Sequence, residues 1–279
     1  MSDIQHPADI STFKLRRRTP GSFLMVPCPR QGRSIRCQGQ LEATAAVTLV
    51  SCPLVETIQE QPLAIWYLWR EREGHVEIRL LNGPPESRSR RSDEFRYAHI
   101  VPDFLVVMTD GRIRLVEVKP SDRLIKPKVL RKLAVAQQYA DQNGWTFHVV
   151  TEKELLDGPL ISNLRLLNRY RLACLDEELL DQIEASVTSD GIEFASILSP
   201  GNPEDLRVTL FHLLAVGRLS CDPRIRPLSD KTIIYPGGVI LWDPFDSLWA
   251  RSGCSTGGHG GSSANSPPTG SSPKTSNFM

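Results

Sequence analysis

From Phe104 to Met108 every position is apolar, and from Ile113 to Val118 apolar and charged positions largely alternate until the run ends at Lys119. A short unbroken apolar run and a period-two alternation both mark strands. Asp110-Gly111 between them marks a turn, because glycine enters the left-handed region without steric penalty. Together the two runs predict a β-hairpin. Glu117 and Lys119, two positions apart on its second strand, share a face. Register decides whether Asp103 joins them. A two-residue loop sets Asp103 opposite Val118, on the wrong face. A three-residue loop at 109–111, with Gly111 left-handed, sets it opposite Glu117. The three-residue loop is the prediction.

Residues 39–50 pattern as a helix with Leu41, Ala45, Val47, Leu49 and Val50 apolar, and Glu42 in its first half. Residues 53–62 read as an edge-like strand running into proline, and 63–69 and 76–81 as paired strands around Glu73-Gly74. Residues 82–94, with Pro84, Pro85, Arg88, Arg90 and Arg91, are a polar excursion, either a connection or a DNA-contacting flap. A helix is predicted at 126–143, with Val129, Leu133, Ala136 and Tyr139 or Ala140 on one face and Asn143-Gly144 closing it. Residues 145–150 form a third core strand, and Thr151 opens a helix with a capping signature.

Gly158-Pro159 begins a second unit. Residues 161–170, 177–186, 192–198 and 203–216 read as helices, and 217–222 and 231–235 as two strands. Helices leading into a β-ribbon suggest a winged-helix-like module, which binds DNA or protein. The helix at 202–216 carries Arg207 against Glu204 and Asp205, which disfavours a major-groove role. The organisation predicted is a basic N-terminal arm (1–36), a catalytic domain (37–157), a winged-helix-like partner-binding domain (158–249) and a tail (250–279) too poor in apolar residues to order. Under this division 37–157 holds the whole candidate site.

Composition changes the picture little. The 279 residues carry 33 basic and 32 acidic side chains, a net charge of +1, so global charge does not announce nucleic acid. Distribution says more. Between 11 and 36 stand seven basic residues and no acid, and between 112 and 132 eight basic and two acidic ones. Both runs suit phosphate contact, although solvated surface is the ordinary alternative. No stretch approaches the roughly 20 apolar residues of a membrane span, and no secretory signal core is present. Cys28, Cys37, Cys52, Cys174, Cys221 and Cys254 have no C-x2-C spacing, which argues against zinc and leaves buried free thiols of a cytoplasmic protein as the default. His99 and His148 read as packed or supporting residues.

The chemistry concentrates at Asp103, Glu117 and Lys119. Two carboxylates in contact repel unless a cation lies between them, and oxygen ligands suit Mg2+. An amine beside them can orient or help deprotonate a metal-bound water. Glu42 can lean toward the same face as a third carboxylate. The ordinary alternative is two solvated strand ends.

Pro102-Asp103 with Glu117-Val118-Lys119 has the form of the PD-(D/E)xK nucleases. In order along the chain stand Gly32-Arg33, Leu41-Glu42, Glu60-Gln61-Pro62, Pro102-Asp103-Phe104 and residues 115–120. Lys132, Ala136, Tyr139-Ala140, Gly144 and residues 149–152 continue the series. In this ordered series the chain resembles TnsA, the endonuclease subunit of multi-component bacterial transposases. Part of that family has glutamine where this chain has Glu117, the commoner nuclease residue. The resemblance implies an α/β, restriction-endonuclease-like mixed sheet flanked by helices. It implies Mg2+ or Mn2+, as a pair of ions, held by Glu42, Asp103 and Glu117, with Lys119 as the water-activating residue. It also implies cutting at the 5′ ends of a transposon, beside a DDE-type recombinase that handles the 3′ ends and an AAA+ ATPase regulator contacted through the C-terminal region. Two other readings remain open: a restriction or repair endonuclease of the same superfamily, and a non-catalytic DNA-binding scaffold.

Overall fold

The computed structural model describes residues 23–85, 95–156, 158–198 and 203–247. Lys14 and Arg16 to Arg18, the arginines at 88–91 and the 250–279 tail lie outside the described residues. Along the chain run β1 (Leu24–Cys28), β2 (Arg33–Cys37), α1 (Gln40–Ser51), β3 (Val55–Glu60), β4 (Ile65–Arg72), β5 (His75–Leu81) and β6 (Arg96–Ile100). Then come β7 (Phe104–Met108), β8 (Ile113–Val118), α2 (Pro127–Gln142), β9 (Thr146–Val150), α3 (Glu152–Leu156) and α4 (Leu160–Tyr170). The remainder is α5 (Glu177–Ser186), β10 (Ile192–Glu193), α6 (Phe194–Leu198), α7 (Pro203–Val216), β11 (Leu219–Ser220), β12 (Ile233–Pro236) and α8 (Pro244–Ser247).

The central sheet has the order β3-β7-β8-β9, antiparallel except for the parallel pair β8–β9. Alternation along β7 and β8 feeds two cores. Phe104, Val106, Met108, Val116 and Val118 face α1, while Leu105 and Leu115 face α2. A second sheet, β5-β4-β6, packs Ile65, Tyr67 and Ile100 into the α2 side. The molecule is thus a mixed α/β fold consistent with the restriction-endonuclease-like architecture.

The hairpin has the predicted register. Phe104 stands opposite Val116 and Val107 opposite Ile113, Met108 N donates to Arg112 O at 2.9 Å, and Gly111 has φ +81°. At Thr151 the capping box forms, with Thr151 N donating to Glu154 Oε2 at 2.8 Å.

Four departures have physical causes. Residues 24–37 are not an arm. Val26, Cys28, Ile35 and Cys37 are two alternating apolar pairs, buried against α1, and they fold as the β1–β2 hairpin. β6 has no counterpart among the predicted elements, because Arg96 and His99 break any apolar run there and the strand is defined by its pairing with β4. Residues 192–198 split into β10 and α6, since Ile192 and Glu193 pair with β12. Finally, the first core does not stop at 157. Leu160, Ile161 and Leu164 of α4, with Trp242 and Phe245 from the chain's far end, are buried in it. Arg114, at 5% exposed, anchors that end: it reaches Asp243 at 3.5 Å and lies over the Phe245 ring. It is structural rather than phosphate-facing.

The C-terminal elements run helix, strand, helix, helix, strand, strand, with sheet order β10-β12-β11. Arg218 pins the ribbon to α5 through Glu184 at 2.6 Å, Glu177 at 2.7 Å and Asp181.

Candidate active site

The site forms where β7 begins and β8 ends. Because Phe104 opposes Val116, the residues just beyond, Asp103 and Glu117, face each other on the side of the sheet that Leu105 and Leu115 share. Two backbone contacts fix them. Val118 N donates to Asp103 Oδ2 at 2.7 Å, and Gln61 N donates to Asp103 O at 2.9 Å. Lys119 N extends the β8–β9 ladder to Val150 O at 2.9 Å, so its side chain turns back over the pair. Its ammonium lies 2.7 Å from Glu117 Oε1 and 3.3 Å from Asp103 Oδ2. The loop after it is tied down where Ser121 N donates to Glu152 Oε2 at 2.9 Å.

Glu42, in the first turn of α1, approaches from the other side of the sheet end. Its Oε2 accepts from Gln38 N at 2.7 Å. Burial, then the Asp103 charge, push Glu42 up to about 7. The same two causes, in the same order, push Glu117 up to about 8. Burial also raises Asp103, against the pull of Lys119 and of the Val118 N–H. Burial works against the charge of Lys119, yet the Asp103 and Glu117 carboxylates outweigh it and raise that amine. The site therefore sets two mutually repelling carboxylates, Asp103 and Glu117, on one ammonium, with Glu42 near enough to feel the Asp103 charge.

Several neighbours in the site have no local periodic pattern that places them there, although Arg33, Glu60 and Lys132 stand in the ordered series given above. Glu60, 8% exposed at the end of β3, is held by Arg33 Nη1 at 2.6 Å, while Arg33 Nη2 donates to Ile58 O at 2.5 Å. Arg33 is thereby committed within the fold, as is Arg30, whose guanidinium donates to Cys52 O. Cys37 is raised to about 12 by burial and by Glu42, Glu60 and Asp103, which marks it as an inert thiol in an anionic surrounding. Lys132 on α2 is half-buried; burial lowers it and the Glu117 charge opposes that. A lysine on the helix beyond the hairpin has no local pattern that would announce this placement. His148, bonded to Arg114 at 3.1 Å and stacked near Phe245, packs rather than acts, and His99 stacks on Trp66.

Residues 52–152 match the family model described as TnsA-like endonuclease N terminal. They form a TnsA-like endonuclease domain. The chain matches no curated protein. Within the endonuclease domain stand Asp103, Glu117, Lys119 and Lys132; Glu42 and Arg33 precede the matched residues. No helix among the described residues is long and apolar enough to cross a membrane.

As arranged, no three His, Cys, Asp or Glu side chains among the described residues are grouped closely enough to hold an ion. Lys119 fills the space between two of the candidate ligands, and Glu42 is turned to Gln38. The donor set nevertheless fits a hard divalent cation. Its ligands are all oxygens, its carboxylates exceed its ammonium by two charges, and Glu117 Oε2 is buried with no hydrogen-bond partner. Withdrawal of the flexible Lys119 amine and a turn of Glu42 are the motions that would open the place.

Proposed function

We propose that this chain is a metal-dependent DNA endonuclease subunit of a transposase, nicking the 5′ ends of the element during cut-and-paste transposition. The observation that carries the reading is the convergence of Asp103, Glu117 and Lys119 inside the endonuclease domain, with a buried Glu117 oxygen left unsatisfied. Asp103, Glu117 and Glu42 would hold Mg2+ or Mn2+, two ions where all three carboxylates engage. A bound divalent cation there supplies an acidified water and charge neutralisation at the scissile phosphate. The chain's own residues do the rest. Lys119 would orient the attacking water, and with its two carboxylates drawn to the cation its Nζ could shed its own proton to solvent and take that water's proton. Asp103, fixed by the Val118 N–H, keeps one oxygen aimed into the site. Lys132 offers a second cation on the α2 side for phosphate oxygens. The proposed partners are DNA at the transposon ends, a DDE-type recombinase and an AAA+ ATPase regulator met through the C-terminal elements, in the bacterial cytoplasm.

The test is strand nicking in the reconstituted complex. Asp103→Ala is expected to abolish Mg2+-dependent nicking while leaving the circular dichroism melt cooperative. Normal nicking by Asp103→Ala would remove it from the mechanism. Site-specific double-strand cleavage by the purified chain alone would point instead to a restriction-type enzyme.

A further inference from the structure

Among the described residues, the β5-β4-β6 sheet has only one of its faces covered. Ile65, Tyr67 and Ile100 are buried toward α2, and directly opposed residues of an antiparallel ladder share a face, so the remaining alternate positions form a second, outward face. Register sorts it into rows. Nearest the carboxylates, Trp66 stands opposite His99, their rings 4.6 Å apart. In the next row Leu68 stands between Arg79 and Tyr97. In the third, Arg70 opposes Glu77, and the Phe95 ring lies 4.5 Å from the guanidinium carbons of both Arg70 and Arg79. Arg72 ends the strand beyond. Glu77 is the one acid in these rows against three arginines; it bonds Arg70 and Arg79, yet the Arg79 side chain remains 58% exposed. Tyr97 and His99 are exposed too.

The geometry points to this outward face as the track for the DNA duplex flanking the cut, with phosphates on Arg70, Arg72 and Arg79 and sugars against Tyr97 and His99. It rests on the nuclease reading and adds the surface and direction of the substrate. Three features favour DNA as the occupant. The guanidinium planes are braced on an aromatic ring, which presets a planar fork matched to phosphate. Cations stand beside rings within the rows, Arg79 in the row of Tyr97 and Arg70 against Phe95, so charge for phosphates lies next to flat surface for sugars. The track also begins at the site: Ile65 pairs with Ile100, three residues before Asp103. From there β4 runs roughly 25 Å, over which one DNA strand presents about seven phosphates.

The test uses the full chain and a fluorescent 30-base-pair duplex of arbitrary sequence, read by anisotropy across a salt series without divalent ions. Arg79→Gln is expected to weaken binding several-fold and to reduce the log–log salt slope by about one. Tyr97→Ala is expected to weaken binding with the slope unchanged. Glu77→Gln is expected to tighten binding, a gain that misfolding cannot produce. Arg112→Gln, at the hairpin turn on the opposite end of the molecule's sheet, is the control expected at wild-type affinity. Wild-type affinity and slope for Arg79→Gln, Tyr97→Ala and Glu77→Gln alike would overturn the track while leaving the nuclease reading standing. Absence of any duplex binding by the wild-type chain at low salt would likewise overturn the track, while the nuclease reading is decided separately by nicking in the reconstituted complex.

Discussion

At Lys119 one ammonium serves two carboxylates, and removing it separates its roles. Lys119→Met keeps the stem and deletes the charge. Metal affinity is expected to persist, because the ligating oxygens remain, while the single-turnover nicking rate falls by about 100-fold or more, the usual worth of a positioned proton-transfer group. Calorimetric loss of metal binding with an unchanged rate would reverse the assignment. The carboxylates make a second prediction. In the folded, metal-free chain Glu117 protonates at about 8 and Glu42 at about 7, against an ordinary 4.5. Between those limits the folded state holds protons that the unfolded state has released, so stability falls as pH rises from about 4.5 toward about 8. Urea midpoints in chelator at pH 5 and pH 8.5 check the sign, and Glu117→Gln should flatten much of the difference. A midpoint that climbs with pH in the wild type, or a Glu117→Gln chain with the same dependence, would sink the account. Asp103, Glu117 and Lys119 were legible because a period-two strand and a glycine turn fix their geometry locally. Glu60 and Arg33 were not, since their meeting at 2.6 Å depends on β2 packing beside β3.

Among the elements, those with a strong period and a clear stop emerge from the sequence almost unaltered, α5 and α7 to the residue and the β7–β8 hairpin in register. Elements whose identity depends on a partner strand do not. β6 exists because β4 pairs it, and β1–β2 because α1 covers Val26 and Ile35. The C-terminal ribbon depends on such a close approach. A Cβ on Gly237 would lie 2.5 Å from Gly217 O and 2.8 Å from Arg218 O, both backbone atoms, whereas Gly238 has open space and only its φ of +79° to lose. Gly237→Ala is therefore expected to cost about 1–3 kcal/mol through forced separation of β11 from β12. Gly238→Ala should cost about 1 kcal/mol, from backbone strain alone. Thermal melts of the two variants decide it; equal losses would mean that the ribbon already breathes at Gly237.

For the whole molecule, the question is whether the endonuclease domain stands without the elements C-terminal to it. Residues 37–157 contain every candidate catalytic side chain, and from sequence they looked self-sufficient. The packing argues otherwise. Leu160, Ile161, Leu164, Trp242 and Phe245 are each at most 5% exposed in the core that also buries α1, β7 and β8. Arg165 donates to Thr44 Oγ1 and Arg171 to Ser51 Oγ, both at 2.8 Å, so α4 is also bonded along α1, the helix that carries Glu42. Exposing five such side chains at about 2 kcal/mol each forfeits roughly 10 kcal/mol, as much as a typical domain's whole stability. A fragment ending at residue 156 is expected to lack a cooperative melt and to bind Mg2+ weakly by calorimetry, because the α1 side of the site loses its support. A fragment ending at residue 247 retains all of that core and is expected to melt within a few degrees of the full chain. If the 1–156 fragment melts cooperatively and binds metal as the full chain does, the C-terminal elements are an appendage, and their burial contributes far less than the area implies. If it does not, any loss of partner binding on truncation reports the collapse of the nuclease core before it reports a lost docking surface. Partner contacts must then be mapped with single exposed substitutions on α7 and the ribbon in the intact chain.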